Sequence, residues 1–340
     1  MYKQELAIIV QSIITSNTVD EHTKCARNLS GFYEKIATIN HFENNETHVK
    51  GGIALSSSGA ADCVDDYLRT VYFIKGVYKA LIKLCNDFPE RSINILYAGC
   101  GPYATLILPL LPLFNKDRIK AILLDINAAS IESVHHILAV VGLNDYSIQL
   151  IETDAITYDK PQDFTIDLAI SETMHYALTR EPQVAITQNI VSQLPSHGIL
   201  IPEEIRIDLA YTFFDYEPSL KNAIDEVKGR DELQPYPHSV FVDRLFTINK
   251  ELFGTQSQNL SFKSDFYKLP DDFSNHPDVS IFTEIKIFED IELKTAESYI
   301  TNPYSVVSLY NLIEYSEIQF IYDFSDIPKW TYNVKSLLID

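Results

Sequence analysis

Hydrophobic and polar positions along the chain fall into three successive patterns. In the first, apolar residues recur at helical spacing. Leu6, Ile8, Ile9, Ile13 and Ile14 beside Glu5 mark one amphipathic helix, and Val64, Leu68, Val71, Tyr72 and Lys75 mark another. Gly51-Gly52 and Ser56-Ser57-Ser58-Gly59 between them read as loops. In the second pattern, from Ser92 to about Pro202, short apolar runs alternate with helix-length segments, which predicts a parallel sheet. Its strands are expected at 94–97, 120–124, 147–152, 168–171 and 198–201. In the third pattern, 205–211, 281–288 and 318–324 alternate as half-buried strands do. A more helical, charged insertion is expected around 219–258. The chain thus divides into an N-terminal helical region (1–90), an α/β domain (91–202) and a β-rich domain (203–340). There is no internal repeat and no low-complexity tract.

The first predicted strand of the sheet ends in Gly99-Cys100-Gly101, followed by the apolar segment 106–113, which is expected to be helical. A strand, a glycine turn and a helix form the opening unit of a nucleotide-binding fold, because glycine lets the backbone approach a ligand where a Cβ would clash. The full dinucleotide fingerprint is absent: Pro102, Tyr103 and Ala104 follow, without a third glycine. That pattern favours a ligand with no pyrophosphate to cradle, and S-adenosylmethionine (SAM) fits the description.

Composition narrows the choice of partner. A net charge of −20 argues against nucleic acid and anionic membrane, both of which need a basic footprint. It is compatible with a cationic substrate, although solubility alone would explain it. No apolar stretch is long and clean enough to span a bilayer, and residues 1–20 lack a signal-peptide pattern. The four cysteines, Cys25, Cys63, Cys85 and Cys100, show neither metal-ligand spacing nor a disulfide framework. A cytoplasmic protein with reduced thiols and no metal is the expectation.

Acidic residues stand where a ligand would need them. Asp125 closes the second strand and can accept hydrogen bonds from ribose hydroxyls; the other reading makes it a helix N-cap for the segment near Asn127. After the third strand, Asp154 can meet an adenine amino group, with Glu152 and Asp159 as competitors. The fourth strand delivers Glu172 to the carboxyl edge of the sheet, and Glu181 lies nine positions on. If the intervening residues form a hairpin-like loop, both carboxylates face one pocket, an arrangement suited to the planar fork of a guanidinium. Otherwise Glu181 is a solvated loop residue. His175 within the loop is either a substrate contact or filler, and His135-His136 reads as structural.

Several ordered motifs together resemble the protein arginine methyltransferase superfamily, within the class I SAM-dependent methyltransferases. They are Asp66-x-x-Arg69-Thr70, Gly99-x-Gly101, Asp125, Ser171-Glu172-x-Met174, the Glu172–Glu181 spacing with Tyr176 between, and Gly198-Ile-Leu-Ile-Pro202. The resemblance runs from about Asp66 to Pro202. It implies a Rossmann-like SAM-binding domain with N-terminal helices, followed by a β-barrel-like C-terminal domain. Arg69 would pair with the SAM carboxylate; Gly99, Gly101, Asp125, Asp154 and Met174 would complete the cofactor site. Glu172, Glu181 and His175 would act on substrate.

Departures from that pattern shape the expected substrate. Tyr103 replaces the third glycine and narrows the methionine end of the pocket. The barrel region holds no Thr-His-Trp motif, since the sole tryptophan, Trp330, lacks an adjacent histidine. No aromatic lid helix is evident at 51–59. These losses point away from protein-bound arginine and toward N-methylation of a guanidino or amino group on a small molecule, amino acid or peptide. O- or C-methylation of a natural-product intermediate and a non-catalytic scaffold remain the alternatives. A homodimer is left open.

Overall fold

The computed structural model describes residues 1–37, 44–218, 239–255 and 261–337. Two long helices open the chain, α1 (Tyr2–Thr15) and α2 (Val19–Ile36). The second begins with a reciprocal capping box, Thr18 accepting from the Glu21 amide while Glu21 accepts from Thr18 N. A small hairpin follows, β1 (Thr47–Val49) and β2 (Gly52–Ala54), then a short helix α3 (Ser57–Asp62) and the 21-residue α4 (Tyr67–Asp87). The serine-glycine stretch expected as a loop is therefore mostly helix. Ser56 starts it by accepting the Gly59 amide on its hydroxyl, the role serine fills at an N-cap.

The parallel sheet forms where the apolar runs placed it: β3 (Ile93–Ala98), β4 (Ile119–Asp125), β5 (Ser147–Glu152), β6 (Leu168–Ser171) and β7 (Ile199–Ile201). Strands β3 and β6 are buried almost throughout, as unbroken apolar sequence in a covered parallel sheet demands. Helices α5 (Ala128–Val141) and α6 (Gln183–Gln193) complete the layers; Gly142, at φ +80°, ends α5 in the left-handed conformation. The expected helix at 106–113 is instead a tight 3₁₀ stretch, Leu108–Leu113, because Pro109 and Pro112 remove the amides an α-helix would need.

Strand order is β5-β4-β3-β6-β7. The chain moves outward from β3 to one side, then returns to place β6 on the other, so the switch point lies between β3 and β6. Ligands of open α/β sheets bind at that crevice, outside the carboxyl ends of the strands. Gly99 and Glu172, which follow β3 and β6, stand there.

From Glu204 onward the described structure is antiparallel. Strands β8 (Glu204–Thr212), β9 (Val240–Asn249), β10 (Ser261–Lys268), β11 (Asp278–Phe288), β12 (Ile291–Leu293), β13 (Tyr304–Ser308), β14 (Tyr315–Asp323) and β15 (Lys329–Ser336) make two sheets, with the short helix α7 (Lys250–Thr255) after β9. One sheet runs β12-β11-β8-β9 with β13 also on β11; the other runs β10-β14-β15. Within the segment expected to be a helical insertion, 240–249 is strand β9, paired with β8 along its length. Residues 219–238 and 256–258 of that expectation lie outside the described residues. A shared apolar core links the N-terminal helices, one face of the parallel sheet and the antiparallel sheets. Among the described residues no helix is long and apolar enough to cross a membrane.

Candidate functional site

A cavity opens at the switch point, with about 990 Å³ of empty space when the open solvent at its mouth is counted. One end is built by the turn after β3. Gly99 and Gly101 have φ of +68° and +63°, and a Cβ on Gly99 would lie 2.3 Å from Thr173 Cγ2 beyond β6. Only glycine permits both the backbone angle and the close approach. Asp125 at the end of β4 is 6% exposed and is held by backbone donors: Gly101 N–H to Oδ2 at 2.8 Å and Asn127 N–H to Oδ1 at 2.9 Å. Burial pushes its carboxyl upward and these amides oppose the shift. The helix after β4 is capped by position 127, not by Asp125. Asp154 lines the same end and accepts the Ile156 amide at 2.9 Å, whereas Glu152 is exposed and outside the lining.

A pair of glutamates forms another part of the lining. Glu172 and Glu181 both line the cavity. Arg69, from the first turn of α4, grips Glu172 through Nε, at 2.7 Å from Oε2, and through Nη2 to the same oxygen. The side chains are 11% and 7% exposed. Burial lifts the Glu172 carboxyl above its ordinary range while Arg69 pulls it down, and its Oε1 is buried without a hydrogen-bond partner among the described residues. Glu181 is pushed up to about 8, first by burial, with Arg69 opposing and Glu172 adding repulsion. Glu181 is 6% exposed.

The loop between the two carboxylates is a 3₁₀ turn, Tyr176–Leu178, with Ala177, Leu178 and Arg180 at φ of +53°, +56° and +70°. Each such non-glycine residue costs about 1–2 kcal/mol, so neighbours must hold the conformation. They do. Trp330 Nε1 donates to the Ala177 carbonyl at 2.9 Å, the Tyr322 hydroxyl to the Leu178 carbonyl at 2.8 Å, and Arg180 N–H to the Pro328 carbonyl at 3.2 Å. Thr283 accepts the Ala177 amide at 3.2 Å. Gln183 braces the start of the loop, accepting from Thr173 N and Oγ1 and donating to the Ser171 carbonyl.

Two expected site residues are placed elsewhere. Met174 is 2% exposed and packs in the core, not in the cavity lining, because the chain turns inward after Thr173. His175 also lies outside the lining. Its Nδ1 is 2.8 Å from Thr179 Oγ1, its ring lies 3.9 Å from that of Tyr176, and burial pushes it down to about 4. Arg69 lines the cavity as expected, but its Nε and Nη2 are engaged by Glu172. Sequence reasoning missed a whole wall: Val49, Ala54, Leu55, Ala60, Cys63 and Val64. The signal was present in Gly51-Gly52 and the Ser56 cap, read only as loop. Tyr103 lines the cavity and stacks on Tyr33 of α2, with ring centroids 4.4 Å apart and planes within 3°. Among the described residues no cluster could hold a metal ion.

No protein-family model and no curated protein sequence matches the chain. Solved structures do. PRMT1 of Trypanosoma brucei, in an enzyme–prozyme heterotetrameric complex with AdoHcy, overlays with a TM-score of 0.51 at 12% identity, over 82% of this chain and 93% of that one. Protein arginine methyltransferase 10 of Arabidopsis thaliana, in an open conformation, overlays at 0.48 and 13% identity over 81% and 96%, too loosely to bear on the fold. The first likeness shows the fold: a Rossmann-like α/β domain followed by an antiparallel, β-barrel-like region.

Proposed function

We propose that this chain is a SAM-dependent methyltransferase acting on a nitrogen of a guanidino or amino group carried by a small molecule, amino acid or peptide. The observation that carries the reading is that one cavity joins the Gly99–Asp125 turn to the Glu172–Glu181 pair. The Trypanosoma brucei protein with the same architecture was solved with AdoHcy, which is what SAM becomes after giving up its methyl.

The residues present fit that cofactor. Asp125 accepts one backbone amide on each oxygen, and a carboxylate has roughly four acceptor sites, which leaves capacity for two ribose hydroxyls. A Cβ at Gly101 would meet only Ala60, at 3.7 Å, so the turn is open toward the cavity. Asp154 stands in the lining beyond β5, at the position suited to an adenine amino group. SAM, when bound, supplies an electrophilic methyl on a sulfonium.

This chain's own groups then have to orient a nucleophile behind that methyl, a substantial source of rate in such displacements. Glu172, fixed by Arg69, presents an unpartnered Oε1 as an acceptor for a substrate N–H. Glu181 contributes the second acceptor. Ionised, it completes a pair of carboxylates around a cation; with its carboxyl held near 8, it is also basic enough to receive the proton the nitrogen releases. When Glu181 is ionised, the pair repels a negatively charged acceptor, which ranks N-methylation above transfer to an acid.

Incubation with SAM and a panel of amino acids, guanidino compounds, short peptides and phenolic acids, with products read by mass, tests the reading. Methyl transfer to a nitrogen-bearing acceptor is expected. Transfer confined to oxygen or carbon acceptors would overturn it.

A further inference from the structure

The β1–β2 hairpin lies against the stretch of backbone that carries Glu181. The Ile53 N–H donates to the Arg180 carbonyl at 2.7 Å, outside the hairpin's own pairing. A Cβ on Gly52 would stand 2.6 Å from Pro182 N, 2.7 Å from Glu181 C and 2.8 Å from Arg180 O, so any other residue would push the two backbones apart. A Cβ on the preceding Gly51, at φ +93°, would meet Ala185 Cβ at 2.7 Å near the start of α6. Just before the hairpin, Glu46 pairs with the Arg180 guanidinium. The hairpin also reaches the far end of the cavity. Ala54 and Leu55 line it, and the Leu55 carbonyl accepts Asn127 Nδ2 at 2.9 Å, the same Asn127 whose amide holds Asp125.

We infer that the hairpin is a strap whose seating on residues 180–182 fixes Glu181 inside the cavity, with Gly52 and Ile53 as positioning residues for that carboxylate. The inference rests on the function proposed above for what Glu181 does, not for where it is held. The β-rich region grips the loop from one side through Trp330, Tyr322 and Pro328, and the hairpin closes it from the other. Without the strap the left-handed Arg180 keeps the Pro328 contact but loses the Ile53 one, and Glu181 can swing toward solvent. The charged and titratable groups facing it are Arg69, Glu172, Arg180, Glu46 and Cys63.

The test follows the Glu181 side chain itself. Protein labelled with ¹³C at the glutamate carboxyls is titrated by NMR, the Glu181 signal being identified by its loss in Glu181→Gln. In the wild type the midpoint is expected near 8. In Gly52→Ala, and in Ile53→Pro, which deletes the donor to Arg180, it should fall by at least about one pH unit as the carboxyl gains water. Amide exchange of Ile53 in the unmodified protein should be slow, which keeps the proposal testable if neither variant folds. An unchanged midpoint in a folded variant with lowered Tm would make the hairpin merely structural and overturn the inference. So would an ordinary carboxylate midpoint in the wild type, or an Ile53 amide exchanging at the rate of an open peptide. A protein that proves unable to bind SAM would leave these readouts untouched, so the two failures are distinguishable.

Discussion

The two ends of the cavity hold carboxylates in opposite ways. At the sheet end, Asp125 takes its orientation from Gly101 and Asn127, residues of the adjacent turn and of its own strand end. At the loop end, Glu181 has no such local support; its place depends on the hairpin far earlier in the chain and on Trp330, Tyr322 and Pro328 far later. A carboxylate satisfied by backbone amides suits neutral hydroxyl donors. A buried carboxylate with an unpartnered oxygen, as Glu172 Oε1 is, gains most from a ligand that brings N–H groups and positive charge. The contrast implies a division of labour, cofactor at one end and nucleophile at the other.

The largest expected effect breaks the acidic end. Glu172→Gln should lower turnover by about two orders of magnitude or more, the scale of positioning and proton-transfer groups. It should also cost stability, because Arg69 would be left as a buried charge against a neutral amide; losing one partner of a buried pair costs up to about 3–5 kcal/mol. Turnover equal to wild type would remove Glu172 from the chemistry.

Next comes the pH dependence set by Glu181. Its carboxyl lies at about 8 in the folded protein against an ordinary 4.5. The folded state therefore binds more protons than the unfolded chain between those values, and stability falls as pH rises through that window, by up to about 1.4 kcal/mol per pH unit. Glu181→Gln should flatten this slope in denaturation curves taken from pH 5 to 8, and a slope identical to wild type would show that Glu181 is not buried as described.

The smallest effect belongs to His175, for which the sequence left substrate contact and loop filler both open. His175→Ala should change SAM affinity by less than about 0.5 kcal/mol, as a site away from the ligand does, since the ring bonds Thr179 and packs on Tyr176 outside the cavity. A loss above tenfold would put His175 back at the site.

The same contrast explains what was legible in the sequence. The sheet end rests on short-range chemistry: unbroken apolar strands, glycines at the turn, an acid at a strand terminus. All five parallel strands and the placement of Asp125 followed from it. The loop end rests on backbone angles that leave no mark, since Ala177, Leu178 and Arg180 are not residues that announce a left-handed turn. That is why Met174 was expected in the cavity and why the sequence left His175 open between substrate contact and loop filler. The hairpin wall was missed because three-residue strands carry too little periodicity, and its value lies in what Gly52 touches across the fold. Strand β9 was hidden in the same way, its exposed and half-buried positions following no clean alternation.

The division of labour is tested most directly by calorimetric titration of SAM into the wild type, Asp125→Ala and Glu172→Gln side by side. Asp125→Ala should weaken binding by about 1–3 kcal/mol, the cost of leaving ligand hydroxyls unpaired. Glu172→Gln should bind within about 1 kcal/mol of wild type, because its group serves the other end. Equal losses in the two variants would contradict the account, as would undiminished binding in Asp125→Ala.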